Sequence, residues 1–317
     1  MLTRRAFLTG TLAALATSAC RRPGGTPGVL RIGFLPNLTY SPILAGLASG
    51  RIQKALAPTR IETRVFRAGP RVVEALVGNA IDIGVSGPAP IVFTHARHGA
   101  GMLRILSGVA SGGASFVVTK KSGIRGPDDL HGKQLAVVQI GATQDIALRT
   151  YLREHGIKDA KLSAFGGPTV KLQMNRGDLH GAWMPEPWAS RLVAEADGVR
   201  LVDERDLWPN RQFAAAVVVG RGDFVRARPV ETDLFVQAVH DEIARANASP
   251  AETEDATYAE IKRLIVNAGP RATFHEGTKF VEFTADPLAE SIRQVAADAH
   301  ALGLMPTCDC GPLFANA

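Results

Sequence analysis

The stretch Leu30-Arg-Ile-Gly-Phe-Leu-Pro-Asn-Leu-Thr-Tyr-Ser-Pro-Ile-Leu-Ala-Gly-Leu-Ala-Ser-Gly50 decides the fold class. It opens with a short apolar strand, Leu30 to Leu35, and passes through a polar turn. It continues as a helix with its signals in order: Ser41 as N-cap, Pro42 at the first helical position, Ile43, Leu44 and Leu47 on one face, and Gly50 as the stop. A strand feeding a helix through a short turn is the building unit of an α/β sheet.

The unit recurs outward along the chain. Ile61 to Phe66 alternates as a second strand, Pro70 to Val77 follows as a helix, and Ile81 to Val85 runs as a buried strand into Ser86-Gly-Pro-Ala-Pro. A helix ending near Gly99 and the strand Met102 to Val109 complete this set. A second set begins after Ser111-Gly-Gly-Ala. Its strands are Phe116 to Thr119, Gln134 to Gln139, Lys161 to Phe165, His180 to Met184 and Arg200 to Val202. Its helices are Gln144 to His155, capped by Thr143 with Asp145 in the first turn, then Pro168 to Arg176 and Pro187 to Ala196. Phe213 to Val219 is a long apolar strand that returns the chain to the first set, and Thr232 to Ala246, Ala251 to Asn267 and Pro287 to Leu302 read as amphipathic helices.

The pattern predicts two α/β lobes with largely parallel sheets, joined by two crossing segments near 110–114 and 211–216 that make a hinge. Residues 1–28 are leader and tether, 29–112 the first part of lobe 1, 113–212 lobe 2, and 213–317 the return to lobe 1 with its C-terminal helices.

Composition narrows the class. With 317 residues, 46% hydrophobic and 21% charged, the chain is an ordinary globular one, neither disordered nor a polytopic membrane protein. The 36 Lys and Arg against 30 Asp and Glu give +6 and a pI near 9.5, which invites an acidic polymer as partner. Four of those charges, Arg4, Arg5, Arg21 and Arg22, lie in the first 28 residues, which hold no Asp or Glu. The remaining chain is nearly balanced, and nucleic acid is not the expected partner.

The leader explains its own charge. Arginines at the start are followed from Ala6 to Ala19 by a mostly apolar run too short to span a bilayer and suited to a signal segment. Thr3-Arg4-Arg5-Ala6-Phe7-Leu8 resembles a twin-arginine export signal, and Ser18-Ala19-Cys20 resembles the end of a bacterial lipobox, in which Cys20 would be lipidated. Arg21 to Gly28, rich in Gly and Pro, reads as a tether. The expected location is outside the cytoplasm, in the periplasm or cell envelope. Cys308 and Cys310, near the C-terminus, read as tail residues, since a bridge across one residue is strained and two thiols alone are a poor zinc site.

Four motifs in order then carry a resemblance. Arg31-Ile-Gly-Phe-Leu-Pro-Asn-Leu-Thr-Tyr-Ser-Pro, Ile81-Asp-Ile-Gly-Val-Ser-Gly, Gly141-Ala-Thr-Gln-Asp-Ile-Ala-Leu-Arg and Gly181-Ala-Trp-Met-Pro-Glu-Pro-Trp-Ala resemble the nitrate, taurine and aliphatic-sulfonate solute-binding proteins of bacterial ABC importers. The resemblance covers nearly the whole chain after residue 29. It implies a two-lobe periplasmic-binding-protein fold of the two-crossover type, with the ligand cleft between the lobes. It also implies a monomer that closes on one small anion, an aliphatic sulfonate foremost, and delivers it to a membrane permease. A thiamin-pyrimidine binding protein or enzyme on the same fold is the alternative.

The residues agree with an anion site. In open α/β sheets ligands sit beyond the carboxyl ends of the strands, where helix N-termini aim free amides at the crevice. The turns holding Asn37, Tyr40 and Ser41, then Ser86 and Gly87, then Gly141, Ala142, Thr143 and Gln144 are placed for that, either as ligand donors or as caps alone. Glu186, between two prolines, fits two roles: accepting hydrogen bonds from a polar ligand tail, or acting as a first-turn acid for the helix that follows. Trp188 and Tyr40 would wall the tail or belong to the core. No phosphate loop, Gly-x-Ser-x-Gly elbow, His-Glu-x-x-His or Cys-x-x-Cys occurs, so no enzyme, metal or cofactor is expected.

Overall fold

The computed structural model describes residues 28–314. Cys20 and the leader lie outside those residues. Strands β1 (Val29–Phe34), β2 (Arg60–Val65), β3 (Ile83–Ser86), β4 (Leu103–Gly112), β5 (Ala114–Thr119), β6 (Gln134–Val137), β7 (Lys161–Ala164), β8 (Gly181–Pro185), β9 (Gly198–Asp203), β10 (Ala214–Arg221) and β11 (Val281–Phe283) make two sheets. The first has the order β11-β4-β10-β3-β1-β2 and the second β7-β6-β8-β5-β9. Each is the centre of one lobe, with apolar clusters on both faces.

The sheets are mixed rather than largely parallel. β2, β1 and β3 run parallel, as do β7, β6 and β8, but β10 runs against both β3 and β4, and β5 runs against both β8 and β9. The reason is the crossing. A strand that brings the chain over from the other lobe enters at the cleft, where the home strands have their carboxyl ends, and therefore runs opposite to them. Two glycines with positive φ, Gly112 (77°) and Gly113 (76°), turn β4 into β5. A Cβ added at Gly113 would stand 2.8 Å from Thr39 and 2.7 Å from Val281, so a side chain there would collide with the first lobe.

One motif residue belongs to the fold. Asp82 is wholly buried just before β3 and accepts from the Arg31 amide, Arg31 Nε (3.0 Å each) and Arg31 Nη2 (2.6 Å), tying β1 to β3. The C-terminal segment carries elements the sequence pattern did not announce, the helix Arg271–Thr278 and the edge strand β11. Cys308 and Cys310 are not a loose tail either. Cys310 is buried in a first-lobe cluster with Leu313, because the terminal turn packs on β4, and the free thiols stand 3.6 Å apart. Among the described residues no helix is long and apolar enough to cross a membrane.

Candidate functional site

A cavity of about 800 Å³ lies between the lobes, at the carboxyl ends of the parallel strands. Asn37, Tyr40 and Gly87 line it from the first lobe, and Ala142, Thr143, Gln144 and Trp188 from the second. Four further candidates from the sequence do not line it. Ser41 is buried and donates its hydroxyl to the Leu38 carbonyl (2.6 Å). Ser86 is fully buried under Gly69, its oxygen without a hydrogen-bond partner among the described residues. The Gly141 amide donates to Asp145 Oδ2 (2.9 Å), and Gly141 faces a second cavity. Glu186 is fully buried, ion-paired with Arg200 and accepting from the Ser190 amide (3.0 Å), so both carboxylate oxygens are engaged behind the cavity wall. Burial pushes the Glu186 carboxyl up, and Arg200 and Ser190 pull it the other way.

The local reasons for the lining are legible. Helices Ser41–Ala48, Pro88–His98, Thr143–Glu154 and Gly167–Arg176 all begin at this cavity, and none receives a side-chain cap at its N-cap residue, Tyr40, Gly87, Ala142 or Gly166. Of their first-turn amides, Pro42, Pro88, Pro90 and Pro168 supply none and those of Ser41, Ala89, Asp145 and Thr169 are already bonded, which leaves Thr143, Gln144 and Gly167 of the second lobe open to an anion, as the helix dipoles also favour. The sequence placed Ser41 and Thr143 as N-caps. In the structure each is instead the first helical residue, with its hydroxyl committed elsewhere. Thr143 Oγ1 accepts from the Ala89 amide (3.3 Å) on the opposite lobe, a partner that only the approach of the two lobes supplies.

Further donors face the space. Asn37 Oδ1 is occupied by the Thr39 amide (3.0 Å) and hydroxyl (3.1 Å), which leaves its NH₂ free among the described residues. Burial pushes the Tyr40 phenol above its ordinary value, keeping it a neutral donor. The Gln144 side chain makes no hydrogen bond among the described residues.

Two cations were missed in the sequence. Arg67, at the end of β2, lines the cavity, is exposed and has no ion pair or hydrogen bond among the described residues. Applying the carboxyl-end rule to β2 as well as to its neighbours would have found it. Arg191, three positions after Trp188, stacks on that ring at 4.0 Å, pairs with Glu195 (2.9 Å) and reaches the Asn267 carbonyl of the first lobe (3.3 Å). The i,i+4 spacing to Glu195 marks an ion pair in the sequence, but the contact with Asn267 that turns it toward the first lobe has no local signal. Ile261, Leu264, Ile265 and Val266 add an apolar wall.

Comparison with known proteins places this geometry. The model of the NMT1-like family matches residues 25–261. A Brucella abortus (strain 2308) protein is 25% identical over 262 residues, covering 82% of this chain and 79% of that one. The taurine-binding periplasmic protein of Escherichia coli (strain K12) is 27% identical over 183 residues, 57% of this chain and 56% of that one. The alkanesulfonate-binding protein SsuA from Xanthomonas axonopodis pv. citri, solved bound to MOPS, superposes with a TM-score of 0.75 at 20% identity, covering 89% of this chain and 96% of that one. The fold is thus the two-lobe periplasmic-binding-protein fold.

Proposed function

The chain belongs to the NMT1-like family, and from that membership we propose that it is the solute-binding component of an ABC importer, holding a small anion, an aliphatic sulfonate, and handing it to a membrane permease. One observation carries the reading. The interlobe cavity joins the open helix N-termini of the second lobe, at Thr143, Gln144 and Gly167, to the Asn37 side-chain amide, the Tyr40 phenol and Arg67 of the first, and among the described residues it is lined by two arginines and no Asp or Glu. Such a cavity attracts an anion and gives it contacts in each lobe, which is the condition for ligand to favour the closed state. A micromolar dissociation constant corresponds to about 8 kcal/mol, within reach of a few charge-assisted hydrogen bonds and an apolar wall.

The protein binds its solute without turning it over, acts as a monomer and works in the periplasm, anchored there through Cys20. The relatives' periplasmic and binding roles support the location and the absence of catalysis. The test is a calorimetry and thermal-shift panel on the exported chain with alkanesulfonates, taurine, nitrate, bicarbonate and a thiamin pyrimidine. A true solute raises the melting temperature in proportion to ln(1 + [L]/Kd). A panel without any response refutes the reading. Membrane fractionation that survives Cys20→Ser refutes the anchor.

A further inference from the structure

Resting on that reading, we infer that Arg67 is the anchor for the solute's anionic group and that the site takes monoanions with an uncharged, apolar tail while rejecting zwitterions. Arg67 is exposed, lines the cavity and is without an ion pair or hydrogen bond among the described residues. The other lining cation, Arg191, is held by Glu195 and the Trp188 ring, so only Arg67 offers an uncommitted guanidinium. A guanidinium presents a fork of donors matched to an oxyanion and keeps its charge at any working pH.

The rest of the wall fixes the tail. Phe66, Met184, Trp188, Leu264 and Ile265 line the same space. The acid nearest in sequence, Glu186, is fully buried with both oxygens engaged by Arg200 and Ser190. Trp188, the ring best suited to receive a cation, already carries Arg191 on a face at 4.0 Å and is packed against Gly167. An ammonium on the tail would therefore lose its water with no carboxylate to replace it, a desolvation an alkyl tail does not incur.

Ethanesulfonate and taurine, which differ by an amino group on the tail, make the test. Calorimetry on the exported chain should show ethanesulfonate binding at least about tenfold tighter than taurine, a difference of about 1.4 kcal/mol. Arg67→Met should weaken ethanesulfonate at least about tenfold, with the ligand-free melting temperature unchanged, because the side chain is exposed and makes no other bond among the described residues. Taurine binding as tightly as ethanesulfonate overturns the tail assignment. Wild-type affinity in Arg67→Met overturns the anchor. Binding of nitrate or bicarbonate but of no sulfonate overturns this inference while leaving an anion importer standing, whereas silence towards every anion overturns both.

Discussion

The Ala89 amide, in the first turn of a first-lobe helix, donates to the hydroxyl of Thr143, the first residue of a second-lobe helix, at 3.3 Å. Two of the four helix N-termini that face the cavity, one from each lobe, are thereby joined directly, and a Cβ added at Gly87 would stand 2.6 Å from the same hydroxyl. The glycine is what lets the lobes come this close. Thr143→Val keeps the shape and removes the acceptor, so it should weaken solute binding by about 1 kcal/mol, or roughly fivefold. Its unliganded melting temperature should hardly move, since each lobe's core is untouched. Calorimetry beside a melting curve checks both, and an unchanged affinity would show that this bond contributes nothing to closure.

Glu186 and Arg200 form a pair whose carboxylate is fully buried, with Arg200 also donating to Ser190 Oγ (2.7 Å) and lying 3.6 Å from the Phe280 ring centre in the first lobe. Removing one partner strands the other charge, and such losses cost about 3–5 kcal/mol. Glu186→Ala should therefore lower stability by about that amount, with Glu186→Gln intermediate. Denaturant midpoints measure it, and a loss below about 1 kcal/mol would mean water reaches the pair.

Glu204 sets a pH dependence. It is buried, one oxygen accepts from Trp183 Nε1 (2.6 Å), the other has no partner among the described residues, and burial pushes its carboxyl up to about 7. The folded value exceeds the unfolded one, so the folded state holds the proton more tightly. Its stabilisation is complete below about pH 4.5 and is lost as pH rises through about 7, amounting to about 3 kcal/mol. Unfolding midpoints taken from pH 4.5 to 8 should fall accordingly, and Glu204→Gln should flatten that fall. A wild-type profile as flat as the variant's would refute it.

Cys310 should resist alkylation. Burial, with Cys308 beside it, pushes its thiol up to about 12, while Cys308 is only half-buried. Iodoacetamide at pH 8 should label Cys308 first, as read by peptide mass spectrometry. Labelling of Cys310 at an equal rate would show that the terminal turn detaches from β4.

How much of this was legible in the chain depends on range. The strand-turn-helix units were, because apolar period and helix signals are local: Leu30 to Gly50 contains its strand, turn and helix within 21 residues. The helix from Thr143 was found with its cap displaced by one residue, because the Thr143 hydroxyl is drawn to Ala89, more than 50 positions away. Asn37, Tyr40, Gly87, Ala142, Thr143, Gln144 and Trp188 were placed at the cavity by the rule that strands point their carboxyl ends at it.

The sequence by itself determined the α/β units, their division by two crossings and the turns that face a cleft, since each follows from neighbouring residues. Only the tertiary structure decided which side chains in those turns are available. Glu186 is engaged because β9 brings Arg200 beneath it, Arg191 is held by Glu195 and Trp188 of its own helix and also reaches Asn267 of the first lobe, and Arg67 has no ion pair or hydrogen bond among the described residues. A charge's availability is set by its partners and its water, and both come from segments that local pattern does not bring together.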